Sequence, residues 1–415
     1  MEKIKALDST LPMLTEGYPY FLNKFRDKKT NALETRILFD KTICLRGEEA
    51  AKLFYDKSKF RRAGAAPDRV KNTLFGWGGV QGLDGEAHLH RKKLFMSFMT
   101  KERMNELHVS FRNYWNEYVS KWEKQERVIL FNEAEEIIFK AVSDWCDVPY
   151  SNEDVSDLTS NISAMIDGSG AVGVRYFKGK KGRKNAEKWI AKMVEELRGN
   201  KLTAPKDSVL SRMTFHKDMN GKLLPAETVA VEVLNIIRPT VAIARYIAFA
   251  ALALKDHPEY IDKLQKNDQL IEWFVQEVRR FYPFFPFLVA IANDNFKWEG
   301  IEFEKDRKVL LDLYATNHDE NNWVDPERFW PERFEKWDES PYNLIPQGGG
   351  DYHQNHRCPG EWITVDLMKI AVDMLVNKMK FSFPEQDTSI SLTRIPAIPK
   401  SRIIISDVKK AAPAQ

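Results

Sequence analysis

The stretch Gln347-Gly-Gly-Gly-Asp-Tyr-His-Gln-Asn-His-Arg-Cys358-Pro-Gly360 decides how the rest of the chain is read. Its glycines leave room for a flat cofactor to approach the backbone. Cys358 stands just before a helix, where the positive end of the helix dipole and free N–H groups lower a thiol pKa. Pro359 is well tolerated at a first helical position. Taken alone, the segment allows two readings: a thiolate ligand, or a buried cysteine behind a glycine-rich turn.

Working outward, the pattern is mainly α with a minor β portion. A helix begins near residue 359 and runs to about 379, preceded by strand-like pieces at 287–291 and 308–313. Another helix spans 258–282 and ends before Pro283. The apolar run 225–254 opens on a proline and reads as one long buried helix, with Pro239 predicting a kink inside it. Helices are also expected over 101–126 and over 131–145, the second capped by Asn132. Residues 34–45 read as a strand, and the basic, glycine-broken stretch 178–188 as a solvated connection. No repeat or low-complexity linker divides the chain, so 1–415 reads as a single domain with a frayed tail over 408–415.

Composition narrows the class. Hydrophobic residues at 43% supply a large core, and charged residues at 30% suit a soluble surface rather than a membrane body. A net charge of +3 is too balanced to imply a nucleic-acid partner. Cys44, Cys146 and Cys358 are widely spaced, with no CxxC pair, as in a reducing compartment. The N-terminus has no apolar run long enough for a signal peptide or membrane anchor, so a cytoplasmic protein is expected.

Several segments, in order along essentially the whole chain, resemble the cytochrome P-450 superfamily. His356, Cys358 and Gly360 fit the end of its cysteine loop. Glu277-Val-Arg-Arg280 resembles its Glu-x-x-Arg pair, and Pro326-Glu-Arg-Phe329-Trp-Pro331-Glu-Arg333-Phe334 resembles the segment that supplies the third member of that ion network. The resemblance implies the cytochrome P-450 fold, with haem b between the long central helix and the cysteine-loop helix and Cys358 as the iron ligand. Glu277, Arg280 and Arg333 are then structural, holding the cysteine loop rigid, since a buried ion network must be complete to be tolerable.

The midpoint of the 225–254 run departs from the usual monooxygenase pattern. Where the superfamily carries a carboxylate followed by threonine as a proton relay, this chain has Asn235-Ile-Ile-Arg238-Pro239-Thr240. An arginine inside an apolar helix is expensive unless an anion meets it, and its planar fork suits a carboxylate. The anion could be a protein carboxylate, or the guanidinium could reach the surface; beside a haem, a substrate carboxylate is expected. Arg238-Pro239, with the long loop running into Gly360-Glu361-Trp362, resembles the bacterial fatty-acid peroxygenase branch. Those enzymes use hydrogen peroxide to hydroxylate long-chain fatty acids at Cα or Cβ, or to remove the carboxyl group and leave a terminal alkene. The resemblance implies that the carboxylate held by Arg238 performs the acid–base transfer that no protein residue supplies, and that no redox partner protein is required.

The segment from Trp77 to Lys93 resembles the family's approach to its haem-facing helix. That match assigns His88, Lys92 and Arg62 to a haem propionate and places His356 in the cofactor loop. It puts Gln81 on the distal side, where glutamine accompanies hydroxylation and histidine alkene formation. Phe75, Val172, Phe284 and Phe287 are candidates either for an acyl tunnel or for core. Two other classes remain: a monooxygenase fed by a ferredoxin or flavodoxin, which would want the relay that Arg238-Pro239 replaces, and a non-catalytic haem- or fatty-acid-binding protein.

Overall fold

The apolar run after Pro225 becomes the spine of the molecule. In the computed structural model, which describes residues 2–4 and 7–411, it forms a central helix, Ala226–Val241, then helix Ala244–Asp256 after a step at Ala242 and Ile243. All side chains from Val229 to Arg238 are buried, as a helix apolar on every face requires. The stretch Ala226–Asp256 is long and apolar enough to cross a bilayer, yet 94% of its most apolar window is buried inside the protein. The kink expected at Pro239 comes later. The helix passes through the proline, which removes only its own N–H, and breaks where Ile243 bonds back to Thr240 rather than to residue 239.

Helices Leu130–Trp145 and Val174–Arg198 pack against the central helix; the cysteine helix, Glu361–Asp373, packs against Ala244–Asp256 and the brace helix Asp268–Phe281. Strands form smaller sheets to the side. The largest has six strands in the order Glu2–Lys3, Ala32–Ile37, Asp40–Leu45, Lys308–Asp312, Phe287–Ala292, Phe60–Arg61. Its parallel register sets Cys44 opposite Leu310, which seals that thiol in an apolar layer.

Several local expectations change in the structure. The 34–45 stretch is a hairpin rather than one strand: Ala32–Ile37 pairs with Asp40–Leu45 across Leu38 and Phe39, whose φ angles are 51° and 65°. Neither residue carries the Asn or Gly signal of such a turn, so alternation alone merged the strands. The 178–188 connection is the middle of helix Val174–Arg198. Its glycines serve closeness: a Cβ on Gly182 would lie 2.5 Å from the Asn161 carbonyl oxygen of helix Val155–Asp167. The 258–282 helix is divided into Glu259–Lys266 and the brace helix by Asn267, whose Oδ1 accepts from the Gln269 and Leu270 amides. The helix expected to 126 ends at Trp122. Asn132 sits inside the first turn of its helix and accepts from Arg402 instead of capping. Pro359 precedes the cysteine helix, which begins at Glu361 and ends in a π turn, Met374–Lys378. The tail expected from 408 is ordered through Lys410, because Ile404–Lys410 is the middle strand between Met379–Ser382 and Arg127–Ile129, with Val408 buried. Residues 412–415 lie outside the described residues.

Candidate active site

The cysteine loop is shaped by its own glycines and tied from several sides. Gly350 takes φ 82°, a conformation that favours glycine, and a Cβ on Gly349 would lie 2.4 Å from the Pro341 carbonyl oxygen. The Gly349 amide donates to the Tyr55 hydroxyl at 2.8 Å, and the Asn355 side chain donates to the Tyr55 carbonyl at 3.0 Å. Cys358 is half-buried and unpaired; Gln347 Nε2 lies 3.9 Å from its Sγ and 2.9 Å from Thr364 Oγ1. Burial pushes the Cys358 thiol up and Glu361 adds to it, outweighing the Gly360 amide, Lys92 and Arg279. Desolvation therefore outweighs the lowering expected at the helix terminus.

Two buried ion networks fix this loop. Glu361 accepts from Arg279 and from Arg357, each at 2.6 Å, and Arg279 also reaches Gln347 Oε1 at 3.1 Å. Burial would raise the Glu361 carboxyl, but the two guanidinium groups hold it below the usual range. In the second network Arg280 grips Glu277 with two bonds of 2.7 and 2.8 Å, and Arg333 Nε lies 3.3 Å from the same carboxylate. The sequence reading brought Glu277, Arg280 and Arg333 together correctly in space. It missed the Arg279–Glu361–Arg357 set, although a second arginine at 279 was in view.

Beside the central helix the structure isolates Arg238. It is 5% exposed, its Nη2 donates to Asn235 Oδ1 at 3.1 Å, and its Nε has no partner among the described residues. Every other buried arginine has a carboxylate within 4.0 Å: Arg46 has Glu320, Arg91 Glu232, Arg183 Glu187, Arg245 Asp167, Arg279 Glu361, Arg280 Glu277 and Arg307 Glu304. Among the described residues Arg238 has none, so neither a protein carboxylate nor a route to the surface answers its charge. Burial, with the like charge of Arg183, brings its pKa down to about 9. Pro239 carries no group that can move a proton, so its contribution is to backbone geometry rather than acid–base chemistry. Thr240 Oγ1 is committed to the Ile236 carbonyl at 2.8 Å.

Gln81, in the short turn Val80–Gly82, joins this group through Asn235, whose Nδ2 donates to Gln81 Oε1 at 3.1 Å and to Glu232 Oε2 at 2.9 Å. Arg91 pairs with the other Glu232 oxygen. Glu232 and Arg91 were not singled out from sequence, though a glutamate interrupting an apolar run is a visible signal.

Arg62, His88, Lys92 and His356 do gather. The His88 and His356 rings stack at 3.8 Å between centroids, and His356 Nε2 lies 3.6 Å from Asp84. Burial first, then His356 and Lys92, push His88 down to about 3. Burial brings Lys92 down to about 8. Lys92 Nζ donates to the Asn355 and Arg357 carbonyls at 3.1 and 2.5 Å, so part of its expected propionate role goes to holding the cysteine loop. The Arg62 guanidinium lies 4.0 Å over the Phe54 ring, and burial lowers its pKa to about 10. Asp84 faces Arg62 and His356, while Asp351 and Glu361 act on Lys92.

Of the four tunnel candidates, Phe284 is buried against Tyr246 at 4.9 Å between centroids, while Phe75 and Phe287 are half-buried. Val172 is 60% exposed, just before helix Val174–Arg198. A half-buried lone thiol between two ion networks, with buried cations nearby, fits haem: Cys358 would hold the iron, and Arg62 and Lys92 would face its propionates.

The chain matches the family model "Cytochrome P450" over residues 174–405. Among solved structures, cytochrome P450EX alpha (CYP152N1) with myristic acid is 42% identical, with 99% of each chain covered and a TM-score of 0.95. A variant of cytochrome P450 OleT in complex with arachidonic acid is 34% identical over 100% of both chains, with a TM-score of 0.97. A curated relative, beta-amyrin 28-monooxygenase of Barbarea vulgaris, is 24% identical over 88% of this chain and 82% of its own length. The ordered cysteine loop, its two ion networks and these full-length likenesses together place the chain in the cytochrome P450 family.

Proposed function

We propose that this chain is a cytosolic haem-thiolate enzyme that uses hydrogen peroxide to hydroxylate long-chain fatty acids at Cα or Cβ, with terminal-alkene formation as a side reaction. The observation that carries this reading is Arg238, a buried guanidinium with no carboxylate of its own in a protein that gives one to every other buried arginine. The structures with myristic and arachidonic acid support a fatty acid as the anion that answers it. Held through Cys358, haem supplies the iron chemistry that cleaves peroxide and inserts oxygen, with the thiolate donating electron density. Arg62, His88 and the remaining Lys92 proton would meet its propionates, with His356 ordering His88 by stacking.

The protein's own groups do the rest. Arg238 offers a planar pair of donors that fixes both carboxylate oxygens, and with them the positions of Cα and Cβ. Because Thr240 is bonded to backbone and Glu232 to Arg91, the bound substrate carboxylate is left as the group able to carry a proton at this site. Gln81, an amide that cannot act as an acid, keeps the balance toward hydroxylation. The route needs no electron-delivering partner, since peroxide already holds both oxygen and oxidising equivalents.

Turnover of purified haem-loaded protein with peroxide tests this. Free fatty acids should be hydroxylated, and their methyl esters should be poor substrates. Arg238→Ala should lower turnover by roughly 10²–10⁴-fold with the haem spectrum nearly intact, and Arg238→Lys should restore only part of it. Equal turnover of esters and acids, or full activity of Arg238→Ala, would overturn the reading.

A further inference from the structure

We propose that Glu232 is a positioning residue for Arg238, acting through the Asn235 amide with Arg91 as its counter-ion. The inference rests on the reading of Arg238 as the carboxylate clamp. Three helical residues at i, i+3 and i+6 form a directed chain. Glu232 is completely buried, and its oxygens are shared between Arg91 and Asn235 Nδ2. Burial pushes the Glu232 carboxyl up, but its ion pair with Arg91 keeps it an acceptor, so the amide turns its NH₂ toward Glu232. Asn235 then has one acceptor left, Oδ1, and it receives Arg238 Nη2 at 3.1 Å. The second amide proton goes to Gln81 Oε1 at 3.1 Å, which sets the orientation of that side chain as well. Without the carboxylate, either face of the amide could point at Arg238. A flipped NH₂ would confront the guanidinium donor to donor, and the fork would lose its fixed plane.

Arg91 completes the device. It comes from the Gly85–Met96 helix that carries His88 and Lys92, so the distal network and the propionate cluster hang from one element. By pairing with Glu232, Arg91 keeps the carboxylate charge compensated and leaves Arg238 uncompensated.

The test measures binding of myristic acid and of myristyl alcohol to haem-loaded protein by the shift of the haem absorption band, together with KM and kcat for peroxide-driven oxidation of the acid. In Glu232→Gln the dissociation constant for the acid should rise about tenfold, the size of one charge-assisted hydrogen bond. Affinity for the alcohol should stay within about twofold, and KM should rise with the acid affinity. Glu232→Asp should recover part of the preference for acid over alcohol. A general loss of packing would weaken both ligands alike, so the acid-to-alcohol ratio is the readout. If Glu232→Gln does not take up haem, Asn235→Leu keeps the Arg91–Glu232 pair and should give the same selective loss. Unchanged preference in a folded Glu232→Gln, or in Asn235→Leu where Glu232→Gln cannot be loaded, overturns the inference. Arg238→Ala serves as the control. If it too keeps the preference for acid, the carboxylate clamp itself is wrong; if it alone loses the preference, only the role of Glu232 fails.

Discussion

Cys358 is one of three unpaired thiols, and their surroundings assign them different chemistry. Cys44 and Cys146 are fully buried, and burial pushes both thiols well up, against only Arg103 at Cys146. Cys358 alone has Lys92 and Arg279 working against desolvation and an amide donor, Gln347, near its sulfur. Cys358→Ser should therefore remove the long-wavelength Soret band of the reduced carbonyl complex. Cys44→Ala and Cys146→Ala should keep that band, at a stability cost of about 1 kcal/mol each. Retention of the band in the serine variant would show that another group holds the iron. At this scale the sequence was legible for Cys358 and Arg238, whose residue types are costly where they stand. For Glu232 the sequence shows an odd residue in an apolar run but not its meaning, which depends on Arg91, 141 positions away along the chain.

Helices are read from sequence by periodicity, and their interfaces decide what periodicity cannot. The stretch 178–188 looks like a break because glycine is a poor helix former, yet helix Val174–Arg198 runs through it. What offsets the propensity cost is contact with helix Val155–Asp167, where Gly182 faces the Asn161 carbonyl and Gly179 the Ala164 carbonyl. Helix propensity alone predicts that Gly182→Ala stabilises the protein by about 1 kcal/mol. The interface predicts the opposite, a loss on the order of 1–3 kcal/mol, because the added methyl meets backbone that cannot rotate away. The midpoint of urea unfolding gives the sign, and a stabilised variant would show that the two helices can separate without cost.

Across the whole molecule, the Glu277 network connects the brace helix to the cysteine loop. Arg280 donates to the Asn317 carbonyl at 3.0 Å, and Asn317 Oδ1 accepts from the Ile345 amide at 2.9 Å, two residues before Gln347. Arg280 also holds the Pro326 carbonyl at 2.9 Å, and Trp330 donates its amide to Glu277. Removing one charge strands the others where water cannot reach: Glu277 and Arg280 are 0% exposed. Glu277→Ala or Arg280→Ala should cost about 3–5 kcal/mol and reduce both folded yield and haem retention, measured as haem per purified chain. Fully loaded, normally stable variants would show that the cysteine loop does not depend on this tie.

The sequence by itself pointed to Cys358, to the members of the Glu277 network, to the apolar central helix and to the misplaced cation at 238. Each is a residue whose chemistry is improbable unless something specific meets it. Tertiary structure alone decided what meets them. It showed that burial outweighs the neighbouring donors at Cys358, that Lys92 spends donors on the loop backbone, and that burial and the stacked His356 ring lower the His88 pKa. It also showed Arg238 to be without a carboxylate among the described residues. These facts depend on which side chains the fold brings within a few ångströms of one another, and on how much water it leaves between them. A linear pattern fixes the kind of group at a position; desolvation and pairing, which set what that group can do, arise only when distant segments pack together.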